Sequence, residues 1–89
     1  MELRFSGQFN RDIEGCTRKL SEAILLAIKN VKTASHISQI QNLVKLKKYK
    51  IHYRIKVADH YRIGIVIRGD TVWFHRFGHR NIFYKKLFP

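Results

Sequence analysis

Along the first third of the chain the apolar positions alternate briefly and then recur at spacings of three and four. Glu2-Leu3-Arg4-Phe5-Ser6 alternates polar and apolar residues, which predicts a short strand, and Ser6-Gly7 supplies a helix start. Phe9, Ile13, Cys16 and Leu20 follow a helical stripe that Ala23, Ile24, Ala27, Ile28 and Val31 continue. Two consecutive helices, or one broken between Gly15 and Ser21, are expected. Leu25 and Leu26 lie off the stripe and form a second apolar surface, open to a partner or to a neighbouring segment. Ser35 is placed to cap a short helical turn through Ile40, and Lys45 to Lys50 reads as a basic connector.

From Tyr49 the period changes to two. Tyr49, Ile51, Tyr53, Ile55 and Val57 share one face of a strand, and Lys50, His52, Arg54 and Lys56 share the other. Asp59-His60 reads as a tight turn. Ile63, Ile65 and Ile67 resume the alternation with Arg62 and Arg68 opposite, and Gly69-Asp70 suits a two-residue hairpin. Thr71 to Phe77 completes a meander that Gly78 is expected to end. The predicted order is β-α-α-β-β-β with a short C-terminal segment. This is an α+β fold with two N-terminal helices packed on one face of an antiparallel sheet. The 89 residues, 45% of them apolar, suffice for one core, so residues 1–89 form a single domain.

Charge adds a polarity that the periodicity lacks. The net charge is +12, and residues 44–89 carry twelve basic and two acidic side chains against six and four in residues 1–43. A polyanion is the natural ligand of such a half, because each phosphate neutralised by Lys or Arg releases condensed counterions. An anionic membrane fits less well, since these cations alternate as on a sheet and do not line one face of an amphipathic helix. Alternate residues on a strand face lie roughly 6.6 Å apart, which lets Lys50, Arg54 and Lys56 track a nucleic-acid backbone. Arg62 and Arg68 widen the row, Lys45, Lys47 and Lys48 extend it into the connector, and Tyr61, Trp73 or Phe74 offers a stacking surface for a base.

Other chemistries find little support. No apolar stretch approaches the roughly 20 residues that span a bilayer, and residues 1–10 lack the pattern of a secretory signal. Cys16 is the sole cysteine, which suits a reducing cytoplasm. Arg68-Gly69-Asp70 spells an adhesion tripeptide but sits where a turn is needed. His75 and His79 lie four apart without the further ligands a zinc site requires, and the six carboxylates are scattered, so neither a metal nor a paired-carboxylate mechanism is expected. What remains is cofactor-free chemistry by cations, histidine and tyrosine.

These groups concentrate in Gly78-His79-Arg80 followed by Tyr84. Taken with the Lys-rich lead-in Val44-Lys45-Leu46-Lys47-Lys48-Tyr49, the strand Tyr53-Arg54-Ile55-Lys56-Val57 and the strand starting Tyr61-Arg62-Ile63-Gly64, the whole chain resembles the RelE/ParE superfamily of toxins from bacterial type II toxin-antitoxin modules. The resemblance implies a cognate antitoxin as partner. It also implies one of two targets: messenger RNA cut on the ribosome in the RelE branch, or DNA gyrase in the ParE branch. A nucleic-acid-binding module without catalysis is a third reading.

For a RelE-type nuclease the resemblance implies attack of a ribose 2′-OH on the adjacent phosphate, with Lys56, Arg62, His79, Arg80 and Tyr84 in the catalytic positions. Arg62 and Arg80 would stabilise charge on the phosphoryl oxygens. Arg54 stays protonated and can only clamp. Lys56 is the candidate base, since neighbouring like charges favour its neutral form, and His79 is its rival. Tyr84 would stack on a base or protonate the leaving oxygen.

Overall fold

In a computed structural model describing residues 1–89, Ser6 is the pivot between the first strand, β1 (Glu2–Phe5), and the first helix, α1 (Gly7–Ile13). Its extended backbone ends the strand, and its Oγ accepts the Phe9 N–H at 3.0 Å while donating to the carbonyl of His75 at 2.9 Å. Beyond α1, Gly15 adopts a φ of 75°, a conformation that glycine reaches without steric cost. Thr17 then caps α2 (Arg18–Thr33) through the Leu20 N–H. The predicted break therefore falls at residues 14–17. α2 buries Ile24 and Val31 and packs Leu20, Ala23, Ala27 and Ile28 beside them, whereas Leu25 and Leu26 stay exposed.

A 3-10 turn (Ile37–Gln39) follows, capped by His36. Ser35 does not cap it, because its N–H and hydroxyl are both engaged by Gln39 Oε1, at 2.8 and 3.1 Å. Leu43–Lys45 then forms an edge strand, β2, too short for an alternation to announce it, so Lys45 belongs to the sheet as well as to the connector. The meander consists of β3 (His52–Val57), β4 (Tyr61–Arg68) and β5 (Thr71–His79). Ala58 and Asp59, at φ 47° and 57°, and Gly69, at φ 58°, make its two turns.

The sheet order is β1-β5-β4-β3-β2. The ladders of the β3–β5 meander are antiparallel as expected and β2 adds to β3 in the same sense, but β1 joins β5 in parallel, with Leu3 opposite Val72 and Phe5 opposite Phe74, so the complete sheet is mixed. Alternation fixes which face a side chain takes and carries no information on strand direction. The inner face presents Ile55, Val57, Ile63, Ile65, Ile67, Val72, Phe74 and Phe77 to Phe9, Ile24, Val31 and Ala34. Phe5 stacks on Phe74 at 4.9 Å. Phe74 is completely buried there and is lost as a stacking surface for a ligand. No helix is long and apolar enough to cross a membrane.

A second, smaller cluster lies on the outer face. Val66, Phe83 and Phe88 form it with Leu46, Ile51 and Leu87 at its margin. Ile51 thus leaves the inner-face row expected for it, because regular pairing begins only at His52. After β5 the chain makes a single helical turn, α3 (Arg80–Ile82), continues as a π-helical turn (Phe83–Leu87), and crosses the outer face. Gly78 does not end β5, since it pairs with Arg62 inside the ladder. Its lack of a side chain leaves room for Leu87, which any Cβ there would overlap.

β1 stops at Phe74, and beyond that point α1 covers the edge of β5. Asp12 takes the place of a missing strand by accepting the Phe77 N–H at 2.9 Å and Arg76 Nε at 2.8 Å. His75 is the extra residue of a β-bulge at this junction, where Gly64 opposes Arg76 and Ile65 opposes Phe74. Burial opposes the charge on Asp12, but the hydrogen bonds from Arg76, Phe77 and Gln8 and the charge of Arg76 outweigh it and hold the carboxyl below its ordinary range. Stability from a lowered carboxyl pKa is present in full above the unfolded value, about pH 4, and is lost as pH falls through the folded value. Asp12→Asn is expected to lower unfolding free energy by about 1–3 kcal/mol at pH 7. The deficit against the parent chain should shrink below about pH 4. Urea unfolding at both pH values checks this, and an equal deficit at each would show that the carboxylate charge is unimportant.

Candidate nucleic-acid interface

The outer row of β3 is His52, Arg54 and Lys56, facing Val66, Gly64 and Arg62 on β4. Lys56 and Arg62 are thus directly opposed at one end of the sheet. Arg62 is half-buried and held on three sides: its Nη1 donates to the carbonyls of Asp59 at 2.8 Å and Tyr61 at 2.9 Å, and its Nε to the Tyr84 hydroxyl at 3.3 Å. That leaves Nη2 as the unengaged end of a guanidinium whose orientation is already set.

Tyr84 comes from the π-helical turn. Phe83 beside it is completely buried, with the two rings 5.0 Å apart and nearly perpendicular. Phe83 and Phe88 anchor the tail, so Tyr84 is free to stand half-exposed with its hydroxyl on Arg62. Because that oxygen accepts from Arg62, its own proton is unengaged. Lys56 Nζ lies 3.8 Å from Asp59 Oδ1, a contact between exposed groups that holds the ammonium only weakly. Arg80 opens α3, where its N–H bonds the His60 carbonyl at 2.8 Å, and its exposed side chain lies one helical turn before Tyr84.

His79 is not part of this group. It pairs with Tyr61 in the ladder, and both rings are on the inner side, 5.3 Å apart. Its Nδ1 accepts the Asn81 N–H at 3.1 Å and caps α3. The alternation Phe77 inward, Gly78 outward, His79 inward accounts for the placement.

The remaining cations divide. Arg54 donates to the Asn42 carbonyl at 3.3 Å and lines a groove of about 450 Å³ with Lys45, Lys47, Tyr49 and Tyr84. Lys45 is a staple for the connector, its Nζ bonding the carbonyls of Leu46 at 3.0 Å and Tyr49 at 2.6 Å. Lys47 and Lys48 project from that connector. Lys50 precedes β3 and so drops out of the row with Arg54 and Lys56. Arg68 ends β4 at the far end of the sheet, close to the exposed Trp73. Tyr61 is occupied by Phe77, on which it stacks at 5.4 Å. No three His, Cys, Asp or Glu side chains converge on a metal-sized site.

The seating of the tail on Gly64 was not foreseen from the sequence, although a glycine amid β-branched residues in a strand signals close approach by another group. A Cβ on Gly64 would lie 2.5–2.8 Å from three ring atoms of Phe88. The tail therefore rests on the bare backbone of β4 and divides the outer face into an end with Arg62 and Tyr84 and an end with Arg68 and Trp73.

No family model matches the chain. The toxin RelE3 of Methanocaldococcus jannaschii is 32% identical over 85 residues, spanning 94% of this chain and 96% of that one. A chain in the crystal structure of a RelB-RelE antitoxin-toxin complex from Methanococcus jannaschii superposes with a TM-score of 0.78 at 31% identity, covering 91% of this chain and 94% of that one. The conserved hypothetical protein HP0894 of Helicobacter pylori has a TM-score of 0.65 at 17% identity, covering 91% and 96% of the two chains. YafQ of E. coli has a TM-score of 0.65 at 12%, covering 93% and 97%. The last two share the fold.

Gly64→Ala is expected to destabilise the protein by about 1–3 kcal/mol by driving Phe88 off the sheet. The same displacement should free Tyr84 from Arg62. Combining it with Phe88→Ala should cost less than the two single changes added, as measured by a double-mutant cycle in urea; additive effects would show that the two sites do not press on one another.

Proposed function

Since this chain belongs to the RelE family of toxins, we propose that it inhibits translation by cutting messenger RNA on the ribosome, with Lys56, Arg62, Arg80 and Tyr84 as its reacting groups. The observation that carries the reading is the fixed Arg62–Tyr84 pair directly across the ladder from Lys56. A ribose 2′-OH attacks the neighbouring phosphorus and gives its proton to the neutral amine form of Lys56. The bond from phosphorus to the 5′ oxygen breaks, and the Tyr84 hydroxyl supplies the proton to that oxygen. The products are a 2′,3′-cyclic phosphate and a 5′-OH. Arg62, its Nη2 unengaged, and Arg80 stabilise the charge that builds on the phosphoryl oxygens. Arg54, Lys47 and Lys48 hold the flanking backbone. His79, on the other face, takes no part.

The relatives similar enough in sequence to bear on function carry the RelE name, and the gyrase alternative draws no support from them. Its protein partner is a cognate antitoxin, in keeping with the antitoxin-toxin complex of its structural relative. The exposed pair Leu25 and Leu26 on α2 and the cationic outer face are the two surfaces such a partner would cover.

Replacing the 2′-OH by hydrogen at the cut site is expected to abolish cleavage on programmed ribosomes and leave binding largely intact, because phosphates dominate affinity. Arg62→Ala should slow single-turnover cutting by about 10²–10³-fold and Tyr84→Phe by about 10²-fold, each with only a small loss of ribosome binding. Arg54→Lys should be tolerated. Losses of binding and cutting in equal proportion would reduce these residues to a phosphate-binding surface. Growth arrest without any ribosome-dependent cleavage would transfer the target to gyrase. In a separate measurement, affinity for RNA should fall steeply between low and physiological salt. Co-expression with the cognate antitoxin should yield a complex and restore growth, and failure of both would remove the toxin-antitoxin assignment's partner.

A further inference from the structure

At the end of the outer face farthest from Lys56, a cleft of about 500 Å³ is lined by Ser6, His52, Val66, Arg68, Trp73 and His75. Arg62 and Arg68 are six positions apart on β4, about 20 Å of strand, and the Phe88 ring lies between them. None of the cleft's distinctive side chains serves the proposed cutting reaction. Trp73 is 37% exposed although it is the largest side chain in the protein. The His75 ring stands beside it, centroids 6.3 Å apart at 61°, and neither of its nitrogens has a hydrogen-bond partner. His52 Nδ1 is buried and unpaired, which leaves Nε2 as the accessible polar atom of that ring. Arg68 is exposed and forms no ion pair. Ser6 is already committed to Phe9 and His75 and only shapes the wall.

The combination selects a ligand class. Two imidazoles without a third donor make a poor metal site, and the guanidinium beside them repels a cation. Burial, reinforced by the neighbouring Arg68 and His52, holds the His75 pKa below its ordinary value, so the ring offers one donor and one acceptor near neutrality and not a second cation. An exposed indole, neutral groups able to read an edge, and a single free guanidinium together match a flat heteroaromatic ring attached to a phosphate.

We propose that this cleft seats one unpaired nucleobase of the bound RNA, stacked on Trp73 with its edge on His52 and His75 and its phosphate on Arg68. This rests on the reading that RNA crosses the outer face. A few unpaired nucleotides span the distance from Arg62 over Phe88 into the cleft, so the base read here is not the one beside the cut. Selection of sequence thereby occurs at a distance from the chemistry.

Trp73 is the only tryptophan in the chain and reports on its own site. The full-length protein is titrated, without ribosomes, with a short unstructured oligoribonucleotide and with the same oligonucleotide made abasic, which keeps every phosphate. The intact strand is expected to quench Trp73 and to bind about tenfold more tightly, about 1.4 kcal/mol and in the range of one stacked base. Trp73→Ala should lower affinity for the intact strand to the abasic level, and Trp73→Phe should restore most of it, with circular dichroism confirming that both variants fold. Equal affinity and equal quenching by the two strands would overturn the proposal, as would the same response to inorganic phosphate alone. Ribosome-dependent cutting is scored separately. Cutting with no base-dependent Trp73 response sinks the cleft and spares the nuclease, and the converse result spares the cleft and sinks the nuclease.

Discussion

Phe88 can lie against the outer face of the sheet only because residue 64 has no side chain, and much of the protein's functional surface depends on that contact. With Phe83 and Val66 it forms a buried apolar cluster on a face rich in cations and histidines. The patch fixes the tail, and the tail delivers Tyr84 to Arg62. Gly78 makes the same provision for Leu87 one strand away. Both glycines sacrifice strand propensity, which costs a strand interior some stability, and obtain a second layer of packing that a bare basic face would lack. The tail thereby acts as a structural layer and as the carrier of Tyr84 at once.

The charge distribution follows a similar economy. Among the cations of β3 to β5, Arg76 is the one with a well-buried carboxylate partner, Asp12, and it closes the edge of β5. Lys56 has only a long contact to an exposed Asp59, and Arg54 and Arg62 bond backbone carbonyls, which orient a guanidinium without cancelling its charge. Carbonyl acceptors are therefore how this sheet positions cations while keeping them available to a polyanion. Self-repulsion among so many unneutralised charges opposes folding, and the inner core of branched aliphatics and phenylalanines has to outweigh it.

Period-two patterning made the meander legible, because Ile55, Val57, Ile63, Ile65 and Ile67 leave no choice of inner face once one of them is assigned. The stripe from Phe9 to Val31 gave both helices, and Ser6 was readable as a cap. Three things were hidden for physical reasons. β2 is three residues long, less than one full alternation on each face. The parallel pairing of β1 is decided by where α1 and α2 return the chain, a long-range matter. The seating of the tail depends on Gly64 and Gly78, whose lack of a side chain was visible but whose visitor was twenty-four and nine residues away. The site shows the same division. Lys56, Arg62 and Tyr84 share the outer face, whereas His79 stands on the inner side with Tyr61, because strand alternation continues through Gly78 and splits a cluster that is contiguous in sequence between two faces.

The two kinds of residue in the proposed reaction differ in how firmly the protein holds them. Arg62 and Tyr84 are preset by four hydrogen-bond and packing partners, Asp59, Tyr61, Phe83 and each other. Lys56 and Arg80 are exposed side chains with many rotamers and no firm partner. Preset donors stabilise a transition state without reorganising, but a flexible base contributes little until the substrate's 2′-OH is brought to it in line with the leaving oxygen. A site whose base and second arginine are exposed, mobile side chains does not impose that alignment on a flexible RNA by itself. On the proposed reading, the alignment has to come from a second body that already holds the messenger in a bent, fixed path. A translating ribosome supplies such a path, and on that same reading the incompleteness of the isolated site would confine cutting to messages under translation.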